Sequence, residues 1–294
     1  MNILFVCMGN TCRSPMAEHI FRKKAAHFKG YFNVNSFGFA AVDGTPASEN
    51  AVIAMQNRGI DISSHKSYKI SANIIASADY IFCMSEYIYS IVVVAAPEKT
   101  FLFGGGIEDP YGGSVEDYER CADIISDEVD KLLTSDMFYE TRLMEYKDIC
   151  AVSDIEQSIF SDPWSENSFY AHISLEYSRS FVTTFLGKPV GYICCEYLIQ
   201  EMNLLKIAVD SKMRKRGIAE GLMTLMCDIC SYLDAIAIFL EVSVSNIPAQ
   251  SLYKKFGFKN EGIRKGYYSK PVEDACVMTK YFVSEELLNE NSCY

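Results

Sequence analysis

The stretch "NILFVCMGNTCRSPMAE" (residues 2–18) joins an apolar run to a loop with a cysteine at its start and a proline after its end. The apolar run is typical of a buried β-strand, and Pro15 stands where a helix tolerates proline, in its first turn. The loop from Cys7 to Ser14 can point successive backbone N–H groups inward, with Gly9 giving the backbone freedom to do so. Such a ring at a helix N-terminus binds a phosphate dianion.

The alternation of apolar strands and amphipathic helices continues to about residue 134. Strands at "FNVNS" and "DYIFCM" and a final helix over residues 115–133 predict βαβ units. We therefore expect an α/β fold with a doubly wound parallel sheet in this half.

The second half has a different order of elements, which predicts an α+β domain with a mixed, mostly antiparallel sheet. Expected strands lie at 138–143, 180–185, 189–199, 203–209, 238–243 and near 258–268 and 274–281, and expected helices at 147–159, 165–172, 217–234 and 248–256. The predicted domains are residues 1–134 and 137–283, followed by a tail at 284–294.

The composition limits the possible partners. The 294 residues carry a net charge of −11, which disfavours nucleic-acid binding and would help to collect basic protein substrates. The apolar run "IVVVAA" (91–96) is too short to cross a bilayer, so we expect no membrane contact. Met1 opens directly on the first strand without a secretory leader, and several of the 11 cysteines lie in apolar runs, so we expect a cytoplasmic protein with reduced thiols.

Cys7 is the expected nucleophile of the first half. A free thiol of pKa ~8.5 is about 3% ionised at pH 7, and this costs a thiolate nucleophile ~2 kcal/mol that inward N–H groups can offset. Arg13 would hold two equatorial phosphate oxygens, and Ser14 would hydrogen-bond the sulfur as it leaves.

Asp109 in "IEDPYGG" (107–113) is the expected proton donor, on a turn made rigid by Pro110. Keeping a carboxyl of pKa ~3.9 protonated at pH 7 costs about 4 kcal/mol, which a nearby thiolate or phosphate dianion and partial burial would have to supply. Asp109 would act first as general acid and then as general base for water.

With these motifs, residues 1–133 resemble the low-molecular-weight protein-tyrosine-phosphatase family. The resemblance rests on "VCMGNTCRSPMAE", "SSHKS", "DYIFCM" and "EDPYGG". It implies that Asn10, Ser36 and His65 brace the loop and that Cys12 is a second thiol able to form a reversible disulfide with Cys7. The implied phosphate-binding residues are Met8, Gly9, Asn10, Thr11, Cys12 and Ser14.

Thr11 bears on the substrate. Family members acting on phosphotyrosine usually carry a branched apolar residue there, whereas the arginine phosphatases carry threonine and Asp-Pro-aromatic-Gly-Gly, as in residues 109–113. Phosphoarginine is therefore the first expectation and phosphotyrosine the second. Arsenate reduction on the same scaffold is an alternative, but it needs a further pair of thiols; Cys83 is present, and position 90 is Ser90.

In the second half, "MRKRGIA" (213–219) lies between a strand and a long helix. Small residues at Gly217 and Ala219 allow close approach of a pyrophosphate to helix N–H groups, although the basic run could also be a solvated turn or an import signal. The strand "IFLEVSVSN" carries Glu241 and leads to Asn246, and Tyr253 lies 12 residues beyond Glu241 on the next helix.

This layout resembles the GNAT N-acetyltransferase superfamily over about 138–282, and within it the ribosomal-protein-alanine N-acetyltransferases of the RimI type. The similar segments are "IEQSIFSDPWSENSF", "IAVD", "LEVSVSN", "LYKKFGF" and "IRKGYY" with "EDACVM". The resemblance implies that Glu241 takes a proton from the attacking amine and that Tyr253 protonates the departing CoA thiolate. The implied acetyl-CoA-binding residues are Ile207, Ala208, Val209, Arg214, Lys215, Arg216, Gly217, Ile218, Ala219 and Asn246.

An N-terminal amine is the expected acceptor, on a ribosomal protein. Its pKa of ~7.7–8.0 makes it easier to neutralise near pH 7 than a lysine near 10.4, by about 3 kcal/mol.

For single residues of the second half, a purely structural role is an alternative to the functional one. Glu241 could be an edge charge and Tyr253 a core residue, while Trp164, Tyr267 and Tyr268 could line a peptide groove or simply pack. The pair Cys227 and Cys230 lacks partners, and we expect no metal.

The sequence as a whole predicts a bifunctional enzyme, a phosphatase joined to an acetyltransferase. The rival is a regulatory fusion in which one half binds its ligand without turnover.

Overall fold

The computed structural model describes residues 1–26, 28 and 30–282 of the chain; the expected tail at 284–294 lies outside them. The chain divides into two compact units, Met1–Ser135 and Asp136–Tyr294. Within the described residues no helix is both long and apolar enough to cross a membrane.

The first unit confirms the expected parallel sheet. Its strands are β1 (Asn2–Cys7), β2 (Asn33–Gly38), β3 (Tyr80–Cys83) and β4 (Thr100–Leu102), in the order β2-β1-β3-β4 and all parallel. Its helices are α1 (Arg13–Lys24), α2 (Glu49–Gln56), α3 (Ala72–Ser77), α4 (Glu86–Ala95) and α5 (Val115–Thr134).

The strand β1 has neighbours on both sides, and the chain order reverses around it. Ile3, Phe5 and Val6 of this strand are completely buried, which explains its unbroken apolar run. Ligands of such sheets bind beyond the carboxyl ends of the strands at this switch point. The loop from Cys7 to α1 lies there.

The second unit has the expected mixed sheet, in the order β10-β11-β9-β8-β7-β6-β5. Its strands are β5 (Tyr139–Leu143), β6 (Ser178–Phe185), β7 (Lys188–Leu198), β8 (Glu201–Val209), β9 (Ala237–Ser243), β10 (Lys259–Ser269) and β11 (Val272–Tyr281). Its helices are α6 (Ile149–Ile159), α7 (Glu166–Ile173), α8 (Ile218–Tyr232) and α9 (Ile247–Lys255). The neighbours β8 and β9 are parallel, and the other neighbouring strands are antiparallel.

The parallel strands β8 and β9 separate before they end. Their pairing runs from Glu201 with Ala237 to Leu204 with Leu240, although β8 continues to Val209 and β9 to Ser243. The other edge of β8 stays paired with β7 as far as Val209. Within the described chain, residues 205–209 therefore have one edge without a strand partner.

Candidate active sites

The carbonyl groups of the Cys7 loop point away from its centre. Each of four carbonyl oxygens accepts a hydrogen bond from a residue outside the loop. Because a trans peptide points its N–H opposite to its carbonyl, the N–H groups of Met8, Gly9, Thr11 and Cys12 face inward. The four pairs are Cys7 O with Phe39 N (2.9 Å), Met8 O with Ala40 N (3.0 Å), Asn10 O with His65 Nε2 (2.9 Å) and Thr11 O with Ser48 N (2.9 Å).

The Cys7 sulfur lies inside this ring. The thiol is 3% exposed, its Sγ accepts a hydrogen bond from Asn10 N at 3.2 Å, and Ser14 Oγ is 3.0 Å away. These donors stabilise a thiolate, and Ser14 is placed to hydrogen-bond the sulfur as it becomes a leaving group.

The backbone turn of the loop depends on Asn10, and the expectation that Gly9 supplies this freedom was wrong. Asn10 has a φ of 56°, in the left-handed region, whereas Gly9 does not have a positive φ. Asparagine tolerates this conformation because its side chain can bond locally. Here its Nδ2 donates to Ser14 Oγ and Ser36 Oγ, both at 2.9 Å, and its Oδ1 accepts from Tyr68 N at 2.9 Å.

Sequence reasoning missed Gly38, at the end of β2. A Cβ built there would lie 2.8 Å from Met8 O, 2.9 Å from Asn10 N and 2.7 Å from Ala41 Cβ. The glycine in "SFGF" was the available signal, but what approaches it becomes visible only in the fold.

Ser36 and His65 lie behind the loop, where the resemblance implies support. Ser36 Oγ donates to Glu18 Oε2 at 2.6 Å, and this largely buried carboxylate of α1 was also missed by sequence reasoning. Burial lowers the pKa of His65, and its hydrogen bond to Asn10 O opposes that effect. A neutral imidazole can donate one N–H to that carbonyl.

Arg13 and Asp109 meet at the mouth of the loop. Arg13 is 6% exposed; its Nη1 donates to Ile107 O at 2.9 Å, and its Nη2 forms an ion pair with Asp109. Its buried Nε has no hydrogen-bond partner among the described residues. An unpaired buried N–H of this kind fits an anionic oxygen.

Cys12 is held by residues that the motif does not contain. Its Sγ lies 3.2 Å from Ser48 Oγ and 3.4 Å from Tyr118 Oη, and 4% of the residue is exposed. Burial and the contact with Cys12 raise the pKa of Tyr118 to about 12. By contrast, Cys83 is completely buried in β3, and burial raises its pKa to about 12, which indicates a packing residue rather than a member of a thiol relay.

Glu241 lies where β8 and β9 separate, directly after Leu240, the last residue of β9 that pairs with β8. Its Oε1 is 2.8 Å from Arg264 Nη1, and its side chain is 31% exposed. Its backbone carbonyl accepts a hydrogen bond from Tyr268 Oη at 3.4 Å. The carboxylate is therefore partly accessible to solvent, next to the point where the two strands separate.

Tyr253 is 5% exposed, and burial raises its pKa. Within the described part of the chain no hydrogen bond to its hydroxyl is seen, so the group keeps its proton available to a ligand. Tyr267 is 43% exposed and lies under Arg264, while Trp164 packs on Phe169 with ring centroids 5.3 Å apart.

The turn before α8 has the backbone of an anion site. Gly217 is the N-cap with a φ of 79°, and Lys215 also has a positive φ of 61°. The predicted helix at 217–234 included Gly217, but in the structure this residue lies before the helix, which begins at Ile218. Glycine adopts this left-handed conformation without strain, and no side chain of the N-cap residue bonds to the first N–H groups of α8, so a ligand can reach them.

The predicted acetyl-CoA residues lie on β8, on the turn before α8, in the first turn of α8 and at the start of α9. Ile207, Ala208 and Val209 lie on the open edge of β8, and Arg214 and Lys215 are exposed on the turn. Arg216 is half-buried beside Tyr139, and Asn246 Oδ1 caps α9 by accepting from Ala249 N at 3.2 Å. The side chains of Arg216 and Asn246 thus have structural contacts, while Ile218 and Ala219 form the first turn of α8.

In the described residues, no group of at least three His, Cys, Asp or Glu side chains is placed so that it could hold a metal ion. An acetyl-CoA site is supported by the open edge of β8 and the Gly217 turn, which offer backbone donors to a pantetheine arm and to phosphates.

Comparison with known proteins gives a separate result for each unit. Residues 2–143 match the model of the low molecular weight phosphotyrosine protein phosphatases, and residues 149–258 match that of the GNAT acetyltransferase family. A Geobacillus stearothermophilus protein-arginine-phosphatase is 34% identical over 44% of this chain and 92% of its own length.

Two relatives match the second unit. A Bacillus subtilis (strain 168) protein named "Putative ribosomal protein bS18-alanine N-acetyltransferase" is 40% identical over 47% of this chain and 91% of its own length. The crystal structure of the Escherichia coli ribosomal-protein-S18-alanine N-acetyltransferase has a TM-score of 0.47 and 29% identity, over 50% of this chain and 97% of that one. The chain therefore belongs to two families, the low molecular weight phosphotyrosine protein phosphatases through its first unit and the GNAT acetyltransferases through its second.

Proposed function

We propose that the chain is a bifunctional enzyme, a Cys7-dependent protein phosphatase joined to an acetyl-CoA-dependent N-terminal acetyltransferase. The observation that carries the first activity is the ring of inward N–H groups around Cys7, with the unpaired Arg13 Nε beside it. A binding module for phosphate would need the ring, but it would have no use for a buried thiol at its centre.

In the phosphatase reaction, Cys7 Sγ attacks phosphorus while the inward N–H groups and Arg13 hold the phosphate oxygens. When the phosphate displaces Asp109 from Arg13, the negative charge of the phosphate favours uptake of a proton from solvent by the carboxylate. Asp109 gives this proton to the leaving nitrogen or oxygen, so that the P–N or P–O bond breaks as the phosphocysteine forms. Asp109 then takes a proton from water, and the water oxygen attacks phosphorus. The phosphorus–sulfur bond breaks, and the sulfur leaves as a thiolate that accepts a hydrogen bond from Ser14 Oγ.

The proposed substrate is phosphoarginine, with phosphotyrosine second. Thr11 and the Asp109–Gly113 sequence support this order, as does the similarity to an arginine phosphatase. We expect wild-type chain to prefer phosphoarginine peptides and Thr11→Ile to shift the ratio of kcat/KM values toward phosphotyrosine. An unchanged ratio would contradict the assignment.

In the acetyl-transfer reaction, acetyl-CoA supplies an acetyl thioester. Glu241 would accept a proton from the α-amine of an alanine-starting protein, as a ribosomal protein substrate would present it. The amine nitrogen would attack the carbonyl carbon of the thioester, and the carbon–sulfur bond would break to release the CoA thiolate. Tyr253 donates a proton to the CoA thiolate, and its raised pKa keeps it protonated until that step. The edge of residues 207–209 and the turn at 214–219 would bind the CoA moiety.

Variants of the full chain test both activities, with each serving as the control for the other. We expect Cys7→Ser to abolish phosphate release and to leave acetylation of a basic alanine-starting peptide unchanged. We expect Glu241→Gln to slow acetylation about 100-fold and to leave phosphate release unchanged. Normal turnover after the matching substitution would show that the unit concerned works differently or only binds its ligand.

We also propose the cytoplasm as the compartment. The ten cysteines in the described residues are free, as expected in a reducing environment, and acetyl-CoA is a cytoplasmic metabolite.

A further inference from the structure

A buried charge cluster lies in the second unit apart from Glu241 and Tyr253. Glu156 of α6 is completely buried, and its carboxylate binds Lys206 Nζ at 2.7 Å, Trp164 N at 2.9 Å and the hydroxyl of Tyr192. A carboxylate removed from water needs such a set of partners. The cluster connects three parts of the unit: α6, the strands β7 and β8, and the segment after α6.

Lys206 joins this cluster to the loop between α6 and α7, residues 160–165. Its ammonium lies 4.3 Å from the ring centroid of Phe160 and 5.6 Å from that of Trp164, within reach of cation–π attraction. Lys206 also belongs to the part of β8 whose edge is open toward β9. The Lys206 side chain thus connects β8, beside the gap between β8 and β9, with Phe160 at the start of the loop and Trp164 near its end.

The same loop contacts the hairpin on the other side of that gap. Ser161 Oγ donates to Lys270 O, in the turn between β10 and β11. This hairpin carries Arg264, which pairs with Glu241, and Tyr268, which donates to the Glu241 carbonyl. The loop therefore contacts both Lys206 of β8 and the hairpin whose residues contact Glu241.

We propose that the Glu156–Lys206 ion pair positions the loop at residues 160–165 as a wall of the acceptor groove and so sets the affinity for the acceptor peptide. Neither residue touches the reacting atoms; both act through Trp164 and Phe160. The inference rests on the proposed acetyl transfer. It places Trp164 in the wall of the acceptor groove, with its inner side packed on the core residue Phe169.

Steady-state kinetics of the full chain test the proposal. We expect Lys206→Met to raise the KM for a Trp-free, basic, alanine-starting peptide about tenfold, with less than about a twofold change in the KM for acetyl-CoA. Lys206→Arg keeps a cation beside Glu156 and should restore most of the acceptor affinity. The matched control is Lys147→Met, which removes an exposed lysine 2.8 Å from Glu145 and should change neither constant.

Fluorescence gives a readout that does not need turnover, because Trp164 is the single tryptophan of the chain. Peptide binding to wild-type chain should change its emission. In Lys206→Met the emission should shift to longer wavelength and respond less to peptide. If this substitution prevents folding by leaving the Glu156 charge unpaired, the double variant Glu156→Gln with Lys206→Met removes both charges and should show the same effects.

The outcomes separate this inference from the proposed function. A wild-type chain that acetylates no N-terminal peptide would contradict the proposed function, while Trp164 emission would still report on the loop. A folded Lys206→Met or double variant with wild-type acceptor KM and wild-type emission would overturn the inference alone. Equal increases in both KM values would also overturn it, since they would indicate a general loss of structure.

Discussion

Gly38 controls the shape of the Cys7 loop although it belongs to another strand. It ends β2, where Met8 O and Asn10 N approach to 2.8 and 2.9 Å of the position that a Cβ would occupy. Both atoms are backbone, so they cannot move aside as a flexible side chain would. The absence of a side chain at residue 38 is therefore part of the phosphate site.

We expect Gly38→Ala to lower phosphatase kcat/KM by about 100-fold, because the ring of N–H groups must shift to admit the methyl group. Gly9→Ala is the matched control: its Cβ would lie 3.5 Å from Thr11 Oγ1, an ordinary contact. Assays with a phosphopeptide, and inhibition by inorganic phosphate, measure the difference. If the two alanine variants lost activity equally, the close approach at Gly38 would not be what shapes the loop.

Residues that carry the chemistry could be predicted from the sequence, but residues that hold them mostly could not. Cys7 and Arg13 stand in one short motif, because a strand, a loop and a helix N-terminus are consecutive in the chain. Tyr118 touches Cys12 from 106 residues away, and Glu18 depends on the packing of α1 against β2. No local spacing encodes such contacts.

Among the elements, the segment around His65 supports the Cys7 loop through the carbonyl of Asn10. Burial holds the pKa of His65 below its ordinary value. As the pH falls through about 6.5, the unfolded chain takes up a proton before the folded one does. This group therefore removes stability on acidification and has no effect well above that pH.

We expect His65→Gln, which retains an N–H donor, to flatten the acid side of the stability profile of the first unit. A single histidine contributes at most about 1.4 kcal/mol per pH unit. The urea midpoint for loss of phosphatase activity, measured from pH 7.5 to 5.5, checks this. His172→Gln is the control, because His172 is also buried with a lowered pKa but has its contacts in the second unit. Identical profiles for His65→Gln and wild type would contradict the assignment.

Helices and strands with strong periodicity could be predicted closely from the sequence. The expected helix at 115–133 is α5, Val115–Thr134, whose apolar residues recur on one face and whose start is fixed by a capping box at Ser114. The separation of β8 from β9 could not be predicted, because periodicity reports which face of a strand is buried and not where its neighbour leaves it. That separation gives the second unit its gap.

At the scale of the whole molecule, both units hold their proposed proton-transfer carboxylate with an arginine. Asp109 pairs with Arg13, and Glu241 pairs with Arg264. These pairs lie in a chain that otherwise has an excess of acidic residues, 38 against 27 basic ones. Local positive charge at each site thus coexists with a negative field around the molecule.

The negative field should make recognition of basic peptides depend on ionic strength. With a net charge of −11, the chain should attract basic acceptor peptides, and salt should screen the attraction. Raising the ionic strength from about 0.02 to about 0.2 M should lower kcat/KM for a basic alanine-starting peptide several-fold. A neutral peptide with the same first residues is the control and should change little. Equal responses of the two peptides would mean that the acidic surface does not select the acceptor, which would leave recognition to the groove beside Glu241 and Trp164.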